Sequence, residues 1–207
     1  MPDVVVIGGG GHAKVLIAVL AKLGESLRGY VDPVDRGPVL GVPYLGDDEV
    51  LKDLAGEPFR LALGIGVNAV SSLRGALVAA AEEAGFGFIT AVSPDACVHD
   101  SARIGAGSMV FDGAVVQPDV TIGRFAILNT ACSVDHDCEI GDFAHVAPGV
   151  SLGGGVRVGE NSLVGIGASV NPALRIGRDC RIGAGAVVAQ DCLEPGSYVG
   201  VPARRLR

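Results

Sequence analysis

From Val92 onward every sixth residue is aliphatic: Val98, Ile104, Val110, Val116, Ile122 and so on, without a slip of register, to Ile176, Ile182 and Val188. In a chain that is 49% hydrophobic, so long an unbroken run does not arise by chance. The residue two before each position is usually small (Ala96, Ser108, Ala126, Cys138, Ser162, Ala186), and the residue after it is often glycine (Gly105, Gly123, Gly141, Gly159, Gly177). A fixed six-residue period of this kind predicts a parallel β-helix. Each hexad supplies one short strand with its aliphatic residue inward, and the small residue and the glycine let the backbone turn a corner. Three hexads close one triangular coil, so the run builds between five and six coils, each burying the next one's apolar row. A β-sandwich would not hold a six-residue phase.

Composition then divides the chain. The residues before the repeats carry Ala/Leu/Val runs at helical spacing, so two domains are expected, residues 1–88 and 89–207. A net charge of −7 gives no electrostatic reason to bind nucleic acid or an anionic membrane. The five cysteines form no CxxC pair, and Cys132, Cys138 and Cys180 occupy the small-residue position of the hexad. They read as buried thiols in a reducing compartment, with no metal site. The start, MPDVVVIGGGG, lacks the basic segment and cleavage site of a secretory leader, and no apolar run is long enough to span a bilayer. A cytoplasmic protein is expected.

The first domain opens on a buried-strand pattern, Val4 to Ile7, which runs into Gly8-Gly9-Gly10-Gly11-His12-Ala13-Lys14 and then into Val15, Leu16, Val19, Leu20 and Leu23 at helical spacing. Strand, glycine turn and helix N-terminus together present backbone N–H groups to a phosphate. Gly8-x-Gly10-x-x-Ala13 meets the loose dinucleotide fingerprint, and Asp32 ends a second strand where an acid would meet a ribose hydroxyl. Strands are expected near Val4–Ile7, Gly29–Asp32, Arg60–Ile65 and Phe86–Ile89, and helices near His12–Leu23, Asp47–Leu54 and Ala69–Glu83. That is half of a doubly wound α/β fold, a Rossmann-like half domain with room for one nucleotide. NAD, another nucleotide-bearing ligand and a purely structural glycine loop all remain open here. Gly64 to Asn68 close the third strand at the same sheet edge as Gly10 and Asp32, so these loops should line one crevice.

In the repeats, polar residues concentrate between Asn129 and His145. His136 lies between Asp135 and Asp137, an arrangement that holds its tautomer and favours its protonated form as it takes a proton. His145, nine residues on, is half a circuit of an eighteen-residue coil away. One site using both needs two chains, and a flat-sided prism suits a cyclic trimer. His99 has no polar cluster and reads as a surface residue. His12, at the helix N-terminus, is placed to contact a bound sugar or phosphate. The ending, Gly200-Val-Pro202-Ala203-Arg204-Arg205-Leu-Arg207, is expected to cap the last coil.

The glycine loop at 8–14, the unbroken hexads, Asp135-His-Asp-Cys-Glu-Ile-Gly-Asp-Phe-Ala-His145 and Gly200-Val-Pro-Ala-Arg204 together resemble the sialic acid O-acetyltransferase and nucleotide-sugar N-acetyltransferase family of left-handed β-helix proteins. The resemblance spans the chain. It implies a homotrimer using acetyl-CoA, with the first domain holding a nucleotide-sugar (a UDP-4-amino-sugar or GDP-perosamine type) and the helix holding the cofactor between subunits. It further implies His136 as general base, Asp135 or Asp137 as its supporting acid, and Asn129 positioning substrate. Gly10, Gly11, His12, Asp32 and Gly66 would contact the nucleotide-sugar, while His145 and the backbone near Ile166 and Ala184 would line the acetyl-CoA groove. Relatives can carry Glu beside the catalytic His, so the shorter Asp here leaves open which flank orients the ring. No Ser-His-Asp or Cys-His constellation stands at recognisable spacing, which favours direct transfer without an acyl-enzyme. Sialic acid or other sugar O-acetylation is the alternative activity; a non-catalytic scaffold and an NAD sensor are alternatives of a different class.

Overall fold

The computed structural model describes residues 2–54, 58–67 and 72–206, and the chain divides into two compact units, Met1–Ser93 and Pro94–Arg207. The first unit is a parallel sheet of four strands in the order β3-β2-β1-β4, with β1 Asp3–Ile7, β2 Leu27–Val31, β3 Tyr44–Gly46 and β4 Phe59–Leu63. Val4, Val5 and Val6 are all 0% exposed, as a central parallel strand covered on both faces requires. Helix α1, Gly11–Lys22, lays Ala13, Leu16, Ile17, Val19 and Leu20 into this core, the i, i+3, i+4 spacing of one buried face.

Two expectations change here, for the second helix and for Phe86–Ile89. The second helix is a single turn, α2 Val50–Asp53, within the segment Asp47–Leu54. The third, α3, is Ser72–Glu83, as far as the described residues reach; Ala69, where it was expected to begin, and Asn68, the expected end of the preceding loop, lie outside them. Phe86–Ile89 forms no strand but one bridge, Phe88 to Leu61, held by Leu61 N–H to Gly87 O and Ile89 N–H to Leu61 O, both 2.8 Å. The three-residue strand β3 was not foreseen, because it is too short to show an alternation.

The second unit is a parallel β-helix. From Cys97–Val98 to Val187–Val188 each strand ends on one of the sixth-residue aliphatics, and strands pair eighteen residues apart, as in Thr121 with Glu139 and His145 with Leu163. One face has six strands and another five, the five-to-six coils that the period implies. From Val110 to Val188 the inward row is at most 4% exposed. Val98 and Ile104, with no earlier coil beneath them, stay half-buried.

The corners turn differently from the expectation. The residue that adopts the left-handed conformation stands three after the inward aliphatic: Asp119, Phe125, Ala131, Asp137, Phe143, Asn161, Ala173 and Asp179, with φ between 54° and 62°. The glycine directly after the aliphatic is required for closeness instead. A Cβ on Gly141 would stand 2.6 Å from Glu160 N and 2.9 Å from Gly159 C, backbone of the next coil. Beyond Cys180–Ile182, Gly196–Val199 adds one more parallel strand and Arg204–Arg205 returns antiparallel to it, closing the last coil.

Candidate active site

His136 stands at a corner of the β-helix, after the strand Ser133–Val134. Its backbone N–H donates to Asp135 Oδ1 at 2.8 Å, and its Nδ1 meets Asp137 Oδ2 at 2.7 Å. The two flanking acids therefore have different tasks: Asp135 ties the main chain and Asp137 faces the ring. A carboxylate only accepts, so the imidazole proton sits on Nδ1 and the lone pair on Nε2. The hydrogen bond to Asp137, followed by the charge of Asp135, raises the His136 pKa above its ordinary value. The side chain is 60% exposed, so the ring stands at the surface of the β-helix.

Asn129 belongs elsewhere. Its Oδ1 accepts the Thr130 N–H at 2.8 Å, which turns its amide nitrogen toward His145 Nε2 at 3.0 Å. His145 Nε2 accepts that bond, which puts its proton on Nδ1. The strands Ile127–Leu128 and His145–Val146 pair with each other on a face that does not carry His136. His145 is 8% exposed. Ile166 and Ala184 stand at the next corner beyond that face, eighteen residues apart on successive coils and both exposed, joined by Gly185 N–H to Ile166 O at 2.8 Å. Within one chain, then, the expected residues form a His136–Asp135–Asp137 group and a separate group of Asn129, His145 and the Ile166/Ala184 column.

In the first unit Gly10, Gly11, His12, Asp32 and Gly66 all line one cavity of about 460 Å³, a size that suits a small ligand. Gly10 caps α1 with no side-chain partner, leaving the helix N-terminus facing this space. Asp32, 8% exposed, accepts from Gly9 N–H at 2.8 Å, from Val34 N–H at 2.9 Å and from Arg36 Nε at 3.4 Å. Burial alone would raise its pKa, but these donors outweigh burial and hold the carboxyl below its usual range. It thus joins the glycine loop to the segment carrying Arg36. Arg36 also lines the cavity, and sequence reasoning missed it, since an arginine in a loop carries no signal of its own. His12 packs over Gly66, and burial together with Arg74 pushes its pKa down to about 4, so it is neutral near pH 7.

A larger groove, about 550 Å³, runs along the Thr121, Glu139, Arg157 and Arg175 face of the β-helix. Its charges pair with protein groups, Arg157 with Glu139 at 3.3 Å and Arg175 with Asp191 at 2.7 Å, and it holds no candidate base. Among the described residues no cluster of three His, Cys, Asp or Glu is placed to hold a metal ion, and no helix is long and apolar enough to cross a membrane.

Residues 3–72 match the PglD N-terminal domain, and residues 155–190 match the bacterial transferase hexapeptide (six repeats) family. No curated protein sequence matches the chain. Among solved structures, PerB from Caulobacter crescentus, in complex with CoA and GDP-perosamine, is 42% identical with a TM-score of 0.93, over 100% of this chain and 98% of that one. The acetyltransferase domain of PglB from Neisseria gonorrhoeae is 36% identical with a TM-score of 0.93, over 100% of both chains. WeeI from Acinetobacter baumannii, at 23% identity and a TM-score of 0.76 over 100% of both chains, shares the fold. Identity at this level along the whole length, on the same β-helix and the same amino-terminal sheet, means that the chain belongs to the PerB and PglB family of left-handed β-helix hexapeptide acetyltransferases.

Proposed function

We propose that the chain moves the acetyl group of acetyl-CoA onto the amino group of a nucleotide-linked amino-sugar, of the GDP-perosamine or UDP-4-amino-sugar type, in one direct step. The observation that carries this reading is the His136–Asp137 pair: a ring nitrogen with an available lone pair, made more basic by a carboxylate at 2.7 Å, on an exposed corner. A protonated sugar amine is no nucleophile. His136 Nε2 accepts a proton from the amine as the nitrogen attacks the thioester carbonyl, so that the N–C bond forms and the C–S bond breaks. The same proton then passes to the departing sulfur, giving free CoA and restoring the neutral imidazole. Likeness to an enzyme solved with CoA and GDP-perosamine supports the same pair of substrates here.

The nucleotide-sugar sits in the first unit, residues 1–88 with the few that follow, its phosphates against the N–H groups of Gly10, Gly11 and His12 and its remainder between Asp32, Arg36 and Gly66. The β-helix, residues 89–207, holds acetyl-CoA, with His145 and Asn129 near the acetyl end and the exposed Ile166/Ala184 column offering apolar contact. Because Asn129 pairs with His145 and not with His136, a complete site draws on two subunits, and a homotrimer provides three such sites. The β-helix faces support this: Ser133, Ser151 and Ser169 stack in register on the face that ends at His136, whereas Arg103, Thr121, Glu139, Arg157 and Arg175 stack on another. A face of short neutral side chains packs closely against a second copy; a charged face stays in water. The five free cysteines suit the cytoplasm.

His136→Ala tests the base assignment. A folded variant should lose on the order of 10²–10⁴-fold in kcat, with substrate affinity by calorimetry little changed. Near-complete kcat in the folded variant would remove His136 from the mechanism.

A further inference from the structure

The corner above His136 carries three consecutive glycines, and each is glycine for a different reason. Gly155 has φ of +70°. A Cβ on Gly153 would stand 2.8 Å from the Pro172 nitrogen and 2.9 Å from its Cδ. Gly154 has neither constraint: the three atoms nearest to its absent Cβ are all in one imidazole, His136 Cε1 at 2.6 Å, Nε2 at 2.7 Å and Nδ1 at 3.2 Å. We infer that Gly154 is a positioning residue for the base, its bare backbone forming the seat on which the His136 ring lies while Asp137 holds the ring edge. This rests on the reading of His136 as the base.

The geometry leaves the ring little choice. Gly155 N–H donates to the His136 carbonyl at 2.8 Å, so the two corners are tied and cannot separate to admit a methyl group. An ordinary contact begins at 3.4 Å, so a Cβ at 2.6 Å would push the ring off the Gly154 backbone by about 0.8 Å, enough to disturb a hydrogen bond to Asp137 that is only 2.7 Å long. The atoms met are side-chain atoms at an exposed position, so the disturbance falls on the site and not on the fold. The glycines at Gly105, Gly123, Gly141, Gly159 and Gly177 contrast with this, since their nearest obstacles include backbone of the next coil. Alanine also keeps the residue's own N–H, so any change at Gly154→Ala comes from the added carbon.

The test is Gly154→Ala in the full chain, assayed for acetyl transfer and for the titration of the His136 ring by NMR, with the resonance assigned by its disappearance in His136→Ala. The variant should keep its circular dichroism, lose on the order of 10²-fold in kcat with little change in KM, as a misplacement near 1 Å does, and show a His136 titration midpoint moved down. Unchanged kcat and an unchanged midpoint would overturn the inference. If His136→Ala alone keeps full activity, the base assignment falls, yet the titration still reports whether Gly154 seats the ring. Should Gly154→Ala fail to fold, the double variant with His136→Ala decides. Recovery of the fold supports the imidazole as the obstacle, and continued failure refutes it.

Discussion

Ser162→Ala probes how the coils are held together. Ser162 is 0% exposed; its Oγ donates to Gly177 O at 2.6 Å and accepts from Cys180 N–H at 2.9 Å, so one hydroxyl bridges two groups of the next coil. Two outcomes compete. If both groups were left unpaired, the loss would be about 1–3 kcal/mol for each. Where the preceding coil carries alanine at this position, the N–H eighteen residues on closes instead on the carbonyl three residues back: Ala144 N–H, over Ala126, on Gly141 O at 3.2 Å and Ser162 N–H, over Ala144, on Gly159 O at 3.3 Å. Cys180 N–H can close on Gly177 O in the same manner, so only the difference between the two arrangements is lost. We expect about 1 kcal/mol, the net value of one hydrogen bond, and a drop of about 2–4 °C in melting temperature for a chain of this size. Ser108→Ala, with the same pair of bonds to Gly123 O and Ala126 N–H, should behave alike. Thermal melts followed by circular dichroism at fixed protein concentration supply the measurement. A fall of more than about 10 °C for either variant would refute the fallback pairing, since it requires orphaned buried groups.

Asp137→Asn should lower the His136 pKa, so the acid limb of kcat/KM, where the base is protonated and inactive, should move to lower pH while the plateau falls; an unmoved limb in the pH–rate profile counts against the pairing. His12 has a folded pKa of about 4 against an ordinary 6.5, so the stability that its neutral form contributes is present above about pH 6.5 and is lost as pH falls toward 4. His12→Gln should flatten the melting-temperature profile across that interval. Cys97 is exposed, whereas burial raises the Cys132 thiol to about 12 and those of Cys138 and Cys192 to about 11, so a thiol reagent near pH 7.5 should find one fast site per chain in the native protein and all five after denaturation. Mixing His136→Ala chains with His145→Ala chains and reassembling them should restore about a quarter of wild-type activity, the share of interfaces with both intact residues; no recovery after verified mixing would place both histidines on one subunit.

Much of this architecture was legible because a period is a global constraint. One aliphatic every six residues leaves a single way to bury the row, and each of those positions from Val98 on does end a strand. The corners were less legible, since Ala131, Phe125 and Phe143 hold φ near +55° with no glycine or asparagine to announce it; the stacked coils impose that turn on whatever residue arrives there. In the first unit β1 and α1 were readable from apolar runs, while β3 and the one-turn α2 depend on contacts too local to leave a pattern. For the site, Asp135-His136-Asp137 was visible as a cluster, but the distinct tasks of the two acids follow from backbone geometry at the corner. Gly154 was within reach of the period, eighteen residues after His136, once the stacking of corners is applied to polar as well as apolar positions.

The central claim concerns a nitrogen acceptor. The purified protein with acetyl-CoA and separately with GDP-linked and UDP-linked 4-amino-sugars, the product analysed by NMR and mass spectrometry, tests it most directly. One acetyl group should appear as an amide on the sugar nitrogen, with one free CoA thiol released per turnover. An ester on a sugar hydroxyl, or no transfer to any nucleotide-linked amino-sugar by the folded protein, would contradict it.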